Sequence, residues 1–132
     1  MPLLQFYSPL SYLSAWPAQL LGASPVQALS VLMVVGQVLT AASAIAALRW
    51  LGVSYSASLL GAAVAVLAPY HLLDQTLRVA LAENLALSLL PLLLAAVWKL
   101  GRGDDPRAAW VLGLCAGALL LTHVLTLFAM VF

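Results

Sequence analysis

Residues 26–48 read VQALSVLMVVGQVLTAASAIAAL, twenty-three residues without a charge. As a helix rising 1.5 Å per residue the run is about 34 Å long, enough to cross a hydrocarbon core of about 30 Å with some tilt. The stretch therefore reads as a membrane span. Within it Gly36, Thr40, Ser43 and Ala47 recur about one helical turn apart, and small side chains in such a stripe let a neighbouring backbone come close. Gln37, near the middle of the run, needs a hydrogen-bonding partner inside that bundle.

The rest of the chain has the same character. Of 132 residues, 65% are hydrophobic and 7% charged, and mean hydropathy is +1.11, values that exclude an ordinary soluble domain. A net charge of +1 supplies no electrostatic footprint for nucleic acid. Cys115 is the only cysteine, so no disulfide forms within the chain, and its apolar surroundings mark it as a small buried hydrophobe. The first charged residue is Arg49, which rules out the basic n-region of a secretory signal.

Working outward, residues 53–69, 79–98 and 108–132 supply three further spans. The second is short, about 25 Å, which sets Tyr70 and His71 near the far membrane face or just below it, and Glu83 and Asn84 about one turn inside. Pro91 removes a donor and frees the carbonyl of Leu87, predicting a kink near Ser88. Gly113 and Gly117 form a GxxxG face, a helix-packing device. Residues 1–24 are uncharged and rich in proline and aromatic rings. Tyr12, Leu13, Trp16 and Leu20 recur at helical spacing there, which predicts a short interfacial helix. The fold class is all-α: a polytopic transmembrane bundle of about four spans plus an N-terminal interfacial helix, in one domain.

Alternating the spans puts Arg49, Lys99, Arg102 and Arg107 on one side and Arg78 on the other. By the positive-inside rule the first side is cytoplasmic, in a multi-pass protein of the cell (inner) membrane. The amino terminus then lies outside with no span before it, and the chain stops in an apolar run at Phe132. Both features are expected of a fragment of a larger fold whose remaining helices complete the bundle.

Most of the intramembrane chemistry falls between Pro69 and Asn84. On a helix, His71, Asp74, Gln75 and Arg78 stand at i, i+3, i+4 and i+7, one face with an imidazole, a carboxylate, an amide and a guanidinium. Glu83 lies about 140° round from Arg78 on an unbroken helix, so the two meet only across a break or through a third group such as a substrate. Charges kept inside a bilayer face a cavity or pair with each other. Asp74 and Arg78 therefore read either as an interfacial ion pair or as part of a site in which the planar fork of Arg78 grips a phosphate. Glu83 has the same two readings, a structural salt bridge or a functional carboxylate. His71 and His123, the latter beside Thr122 and one turn before Thr126, are either packing histidines or ligand- and proton-handling groups. Asp104 and Asp105 read as solvated loop charges. Neither a phosphate-binding glycine loop nor HExxH, GxSxG or CxxC occurs.

The run Phe6-Tyr7-Ser8-Pro9-Leu10-Ser11-Tyr12, then Tyr70-His71-Leu72-Leu73-Asp74, Arg78-Val79-Ala80-Leu81-Ala82-Glu83 and Thr122-His123-Val124-Leu125, resembles bacterial polytopic membrane proteins of the YfhO-like type. Their membrane domain is also catalogued as related to 6-pyruvoyl-tetrahydropterin synthase. The soluble enzymes of that name use a three-histidine zinc site, which two histidines on separate helices cannot supply. The YfhO-like proteins in turn resemble glycosyltransferases of the GT-C class, all-helical enzymes that take a sugar from a lipid-phosphate carrier outside the membrane. The resemblance implies a lipid-phosphate or sugar-site role for Tyr70, His71, Asp74, Arg78, Glu83 and, more remotely, His123. It also implies a catalytic carboxylate in an outer loop before this chain begins, since none precedes Asp74; no catalytic residue and no metal site is assigned within the chain.

The reading that follows is a fragment of a GT-C-like glycosyltransferase with membrane lipids and a polyprenyl- or other lipid-phosphate sugar donor as partners, and with no cofactor specified. The alternatives are a transporter or flippase-like protein in which Asp74, Arg78 and Glu83 form a gate or proton relay, and an assembly subunit in which they only pair helices.

Overall fold

The computed structural model describes residues 13–78, 80–103 and 105–123. Over these the chain is helical, with no strand among the described residues: α1 (Trp16–Leu20), α2 (Pro25–Trp50), α3 (Tyr55–Val66), α4 (Pro69–Leu73), a π-helical turn (Asp74–Arg78), α5 (Leu81–Arg102) and α6 (Arg107–Thr122).

Local chemistry sets the boundaries. Ser24 caps α2 reciprocally: the Gln27 N–H donates to Ser24 Oγ at 3.3 Å and the Ser24 N–H to Gln27 Oε1 at 2.8 Å, with Pro25 opening the helix where a missing N–H costs nothing. The helix stops where Gly52 takes φ of 88° and Arg49 Nη1 donates to the Val53 carbonyl at 2.8 Å. Ser54 caps α3 through the Ala57 N–H. Ala68, held extended ahead of Pro69, ends it, since an α conformation there clashes with the proline ring. α5 closes at Gly103 in the left-handed region, with Lys99 and Arg102 in its last turn against the negative end of the dipole.

Among the described residues two helices are long and apolar enough to cross a membrane, α2 and α5, and a third span arises if Tyr55–Val66 and Pro69–Leu77 count together. That pair is bent by 45°. The span expected over residues 53–69 is a helix of only 12 residues, α3, and the chain bends at Leu67 and Ala68, ahead of Pro69, before the helical turns that continue it. α6 is shorter, 16 residues. Of the predicted interfacial helix, α1 is present with Leu13, Trp16 and Leu20 exposed, whereas Tyr12 and the segment before it lie outside the described residues.

α2 packs on α3 and α5, and α5 packs on α6. The small-residue stripe performs as its spacing implies: Gly36, Thr40, Ser43 and Ala47 are all buried. Gly36 is required, since a Cβ there would overlap the carboxamide of Asn84 on α5. Gly61 is set against Leu48 Cδ1, 2.5 Å from where its own Cβ would stand. One apolar cluster joins Ala15, Ala28, Leu32 and Leu81 across α1, α2 and α5; another joins Ala86, Leu93, Cys115 and Leu119 across α5 and α6. Cys115 is buried there, as its neighbours implied. The GxxxG expectation fails among the described residues: a Cβ at Gly113 or Gly117 would meet nothing within 4 Å, because α6 turns Cys115 and Leu119 toward α5 instead.

The ends of the bundle are tied by side chains. Trp50 Nε1 donates to Asp105 Oδ2 at 2.8 Å, and Asp105 Oδ1 accepts from the Arg107 N–H at 2.9 Å. The end of α2 therefore sits beside the start of α6, and Arg49, Lys99, Arg102 and Arg107 gather at one end of the bundle. Asp105 is half-buried and structural, which corrects its reading as a solvated loop charge; Asp104 lies outside the described residues.

Candidate functional site

The polar stretch folds back on itself rather than forming one helix. α4 carries Tyr70 and His71, and at Asp74 the helix widens into the π turn; the Ala80 N–H then donates to the Asp74 carbonyl at 3.2 Å, closing the reversal before α5 begins at Leu81. Of the predicted face of His71, Asp74, Gln75 and Arg78, the first two are buried and Gln75 is half-buried, so these three turn into the bundle.

Gln75 shows the consequence. Its Oε1 accepts from Gln37 Nε2 on α2, and its Nε2 donates to Asn84 Oδ1 on α5 at 3.0 Å. Asn84 Nδ2 donates to the Met33 carbonyl at 3.3 Å. Asn84 is fully buried, 0% exposed, in the notch that Gly36 leaves. Three amides from three elements thus form one network, and Gln37 finds the partner its position demanded. The network lies about 21 Å along α2 from Trp50, beside the middle of the helix.

Around this anchor stand the predicted site residues. Tyr70, 53% exposed, donates its hydroxyl to Glu83 Oε1, so the carboxylate at the start of α5 is held by the phenol on α4. His71 is 4% exposed, and its Nε2 is buried with no hydrogen-bond partner among the described residues. Asp74, 1% exposed, is buried at the head of the π turn. Arg78 ends the turn, with its side chain outside the described residues, and Glu83 is not among the residues that line the cavity described next. His123 sits apart: its N–H caps α6 by donating to the Leu119 carbonyl at 2.7 Å, and α6 packs on α5. It is not among the cavity residues described next.

Next to the turn is a cavity of about 770 Å³, within the range of small-molecule sites. Tyr70 and His71 line it, with Gly61, Ala65 and Ala68 from α3 and the bend, Thr40 to Leu51 from α2, and Leu87 to Trp98 from α5. Its walls are almost wholly apolar. Among the described residues no group of three or more His, Cys, Asp or Glu side chains could hold a metal ion.

At the opposite end, the backbone N–H of Arg107, and after it the indole of Trp50, holds the Asp105 carboxyl below the usual carboxylate range. No protein family, no curated protein and no solved structure matches this chain.

Proposed function

We propose that this chain is the membrane part of a GT-C-like glycosyltransferase that draws on a lipid-phosphate-linked sugar. In this reading it is a multi-pass inner-membrane bundle of about four spans, with the Arg49, Lys99, Arg102 and Arg107 end cytoplasmic and the polar turn serving the outer side. The observation that carries the reading is the gathering of Tyr70, His71, Asp74 and Glu83 around one reversal of the chain, with His71 and Asp74 buried and Glu83 held by the Tyr70 hydroxyl. Keeping these groups in an apolar bundle is costly unless a ligand or partner uses them. The resemblance of this polar block to the YfhO-like proteins supports the same choice. Arg78 grips the carrier phosphate, Glu83 and Asp74 bind the sugar side, and a carboxylate outside this chain activates the acceptor.

The test is sugar transfer by the native protein in nanodiscs from a panel of polyprenyl-phosphate sugars. Glu83→Gln and Asp74→Asn each remove a charged hydrogen-bond acceptor, and a fall of about tenfold to a hundredfold in kcat/KM is expected. Transfer at the parental rate in both variants would defeat the reading.

One observation favours a second reading, a transporter or flippase-like protein. Broken helices that meet at the middle of a bundle are where transporters place their binding sites, and the bend at Leu67 and Ala68 beside the π turn has that form. Lipid movement across vesicles without sugar transfer would select it.

A further inference from the structure

α3 and α5 both pack on α2 with little contact between them, so the apolar cavity is a cleft that runs over the surface of α2. Ala44 and Ala47 of α2 and Gly61 and Ala65 of α3 line it with small side chains, and Leu94 and Trp98 of α5 stand across from them. Along α5 the lining extends from Leu87 to Trp98, about 16 Å, which is about half of a hydrocarbon core of about 30 Å. The cleft is therefore one leaflet long. Its volume of about 770 Å³ over that length is a mean section of about 50 Å², against about 80 Å² for a helix about 10 Å across with its side chains. Such a section suits hydrocarbon chains better than a whole helix.

The two ends of the cleft differ in charge. Toward the turn its polar lining is engaged or enclosed: the Thr40 hydroxyl donates to the Gly36 carbonyl, the Tyr70 hydroxyl donates to Glu83, and the His71 ring is buried. The other end opens at Trp98, 58% exposed, with the Arg102 guanidinium 5.7 Å from the centroid of its ring. Arg102 follows Trp98 by four residues and so continues the cleft face of α5 by one turn. Arg49, Lys99 and Arg107 belong to the same end, against two carboxylates in its loop sequence, Asp104 and Asp105, and Asp105 is committed to the Trp50 indole and the Arg107 N–H. Stacking on the indole uses the face of the guanidinium, whereas its N–H donors lie in the plane and can meet phosphate oxygens. An apolar cleft one leaflet long, with a net positive mouth, is complementary to a lipid with an anionic head.

We propose that the cleft binds an acyl chain of an anionic phospholipid from the leaflet at the cation-rich end, with the lipid phosphate on Arg102 beside Trp98. This assignment stands independently of the glycosyltransferase reading. Arg102 selects the charge of the head, and Gly61 and Ala65 set the width open to the chain.

The experiment places the native protein in nanodiscs holding phosphatidylglycerol with a diazirine in one acyl chain, or phosphatidylcholine with the same chain. The phosphatidylglycerol probe is expected to label the peptides holding Ala44 to Leu51 and Leu87 to Trp98 in preference to the phosphatidylcholine probe, and unlabelled phosphatidylglycerol should displace it. Arg102→Gln should reduce that preference about fivefold, the effect of one cation at a membrane surface. Arg107→Gln removes a cation at the same end on α6, which does not line the cleft, and should change the preference much less. Ala65→Phe should abolish cleft labelling, with unchanged thermal unfolding showing that the bundle survives; if the bundle does not survive, Arg102→Gln, an exposed change at the end of α5, decides the matter. Equal labelling by the two probes would overturn the proposal. Equal losses in Arg102→Gln and Arg107→Gln would do the same, since they would reduce the effect to the general field of the cation-rich end, and so would cross-links showing another protein segment in the cleft.

Discussion

Replacing Gly36 by alanine adds one carbon and should be among the most damaging small changes in the chain. At an ordinary helix position the substitution is favourable by about 0.8 to 1.0 kcal/mol, because glycine gives up more backbone freedom. At Gly36 the added Cβ overlaps the Asn84 carboxamide, which is fully buried and bonded to the Met33 carbonyl and to Gln75. Asn84 can move only by giving up those bonds, and overpacking of this kind costs about 1 to 3 kcal/mol. Net destabilisation of about 0 to 2 kcal/mol is expected for Gly36→Ala. Gly113→Ala, whose Cβ meets nothing within 4 Å, should be neutral or stabilising by up to about 1 kcal/mol. Reversible unfolding in mixed detergent micelles measures both, and a double-mutant cycle with Asn84→Ala should recover part of the Gly36→Ala loss. If Gly36→Ala proves as harmless as Gly113→Ala, the seat described for the amide network is wrong.

Other consequences follow the same logic. Gln75→Leu removes the side chain that joins the π turn to α2 and α5. It should cost about 0.6 to 1.7 kcal/mol, the range for hydrogen bonds between membrane helices, with faster amide exchange over residues 72–80. Because the folded pKa of Asp105 lies below its ordinary value of 3.8, its ties to Arg107 and Trp50 stabilise the fold fully above that value. That contribution fades as pH falls through the lowered folded value, and Asp105→Asn should remove the acid-limb change in Trp50 fluorescence. A cysteine placed at Gly101 should resist a membrane-impermeant thiol reagent in intact cells, since the cation-rich end faces the cytoplasm in the proposed topology.

The long helices were legible because length and apolarity are local properties: residues 26–48 announced α2, while the span expected to end at residue 98 runs on through Lys99 to Arg102 before Gly103 stops it. The need of Gln37 for a partner and the close approach at Gly36 were also readable, since both follow from composition in a membrane. Which partner was not. Gln75 stands in a π turn and bonds to Gln37, 38 positions away in sequence, and to Asn84, 9 away, pairings that no local pattern announces. The break of the second span was half visible in Pro69. Asp105 looked solvated because its partner, Trp50, lies 55 residues earlier. The GxxxG of α6 misled because spacing shows a face able to pack closely and says nothing of which neighbour stands there.

Carrier-lipid affinity of the native protein against Arg78→Lys tests the central claim most directly. Lysine keeps the charge but loses the planar fork that holds two phosphate oxygens at once. If the polar turn is a lipid-phosphate site, polyprenyl phosphate should bind the lysine variant about tenfold to a hundredfold more weakly, while Asp74→Asn alongside exposes any simple ion pairing. A lysine variant that binds polyprenyl phosphate as tightly as the parent would contradict the account and reduce Arg78 to a structural residue.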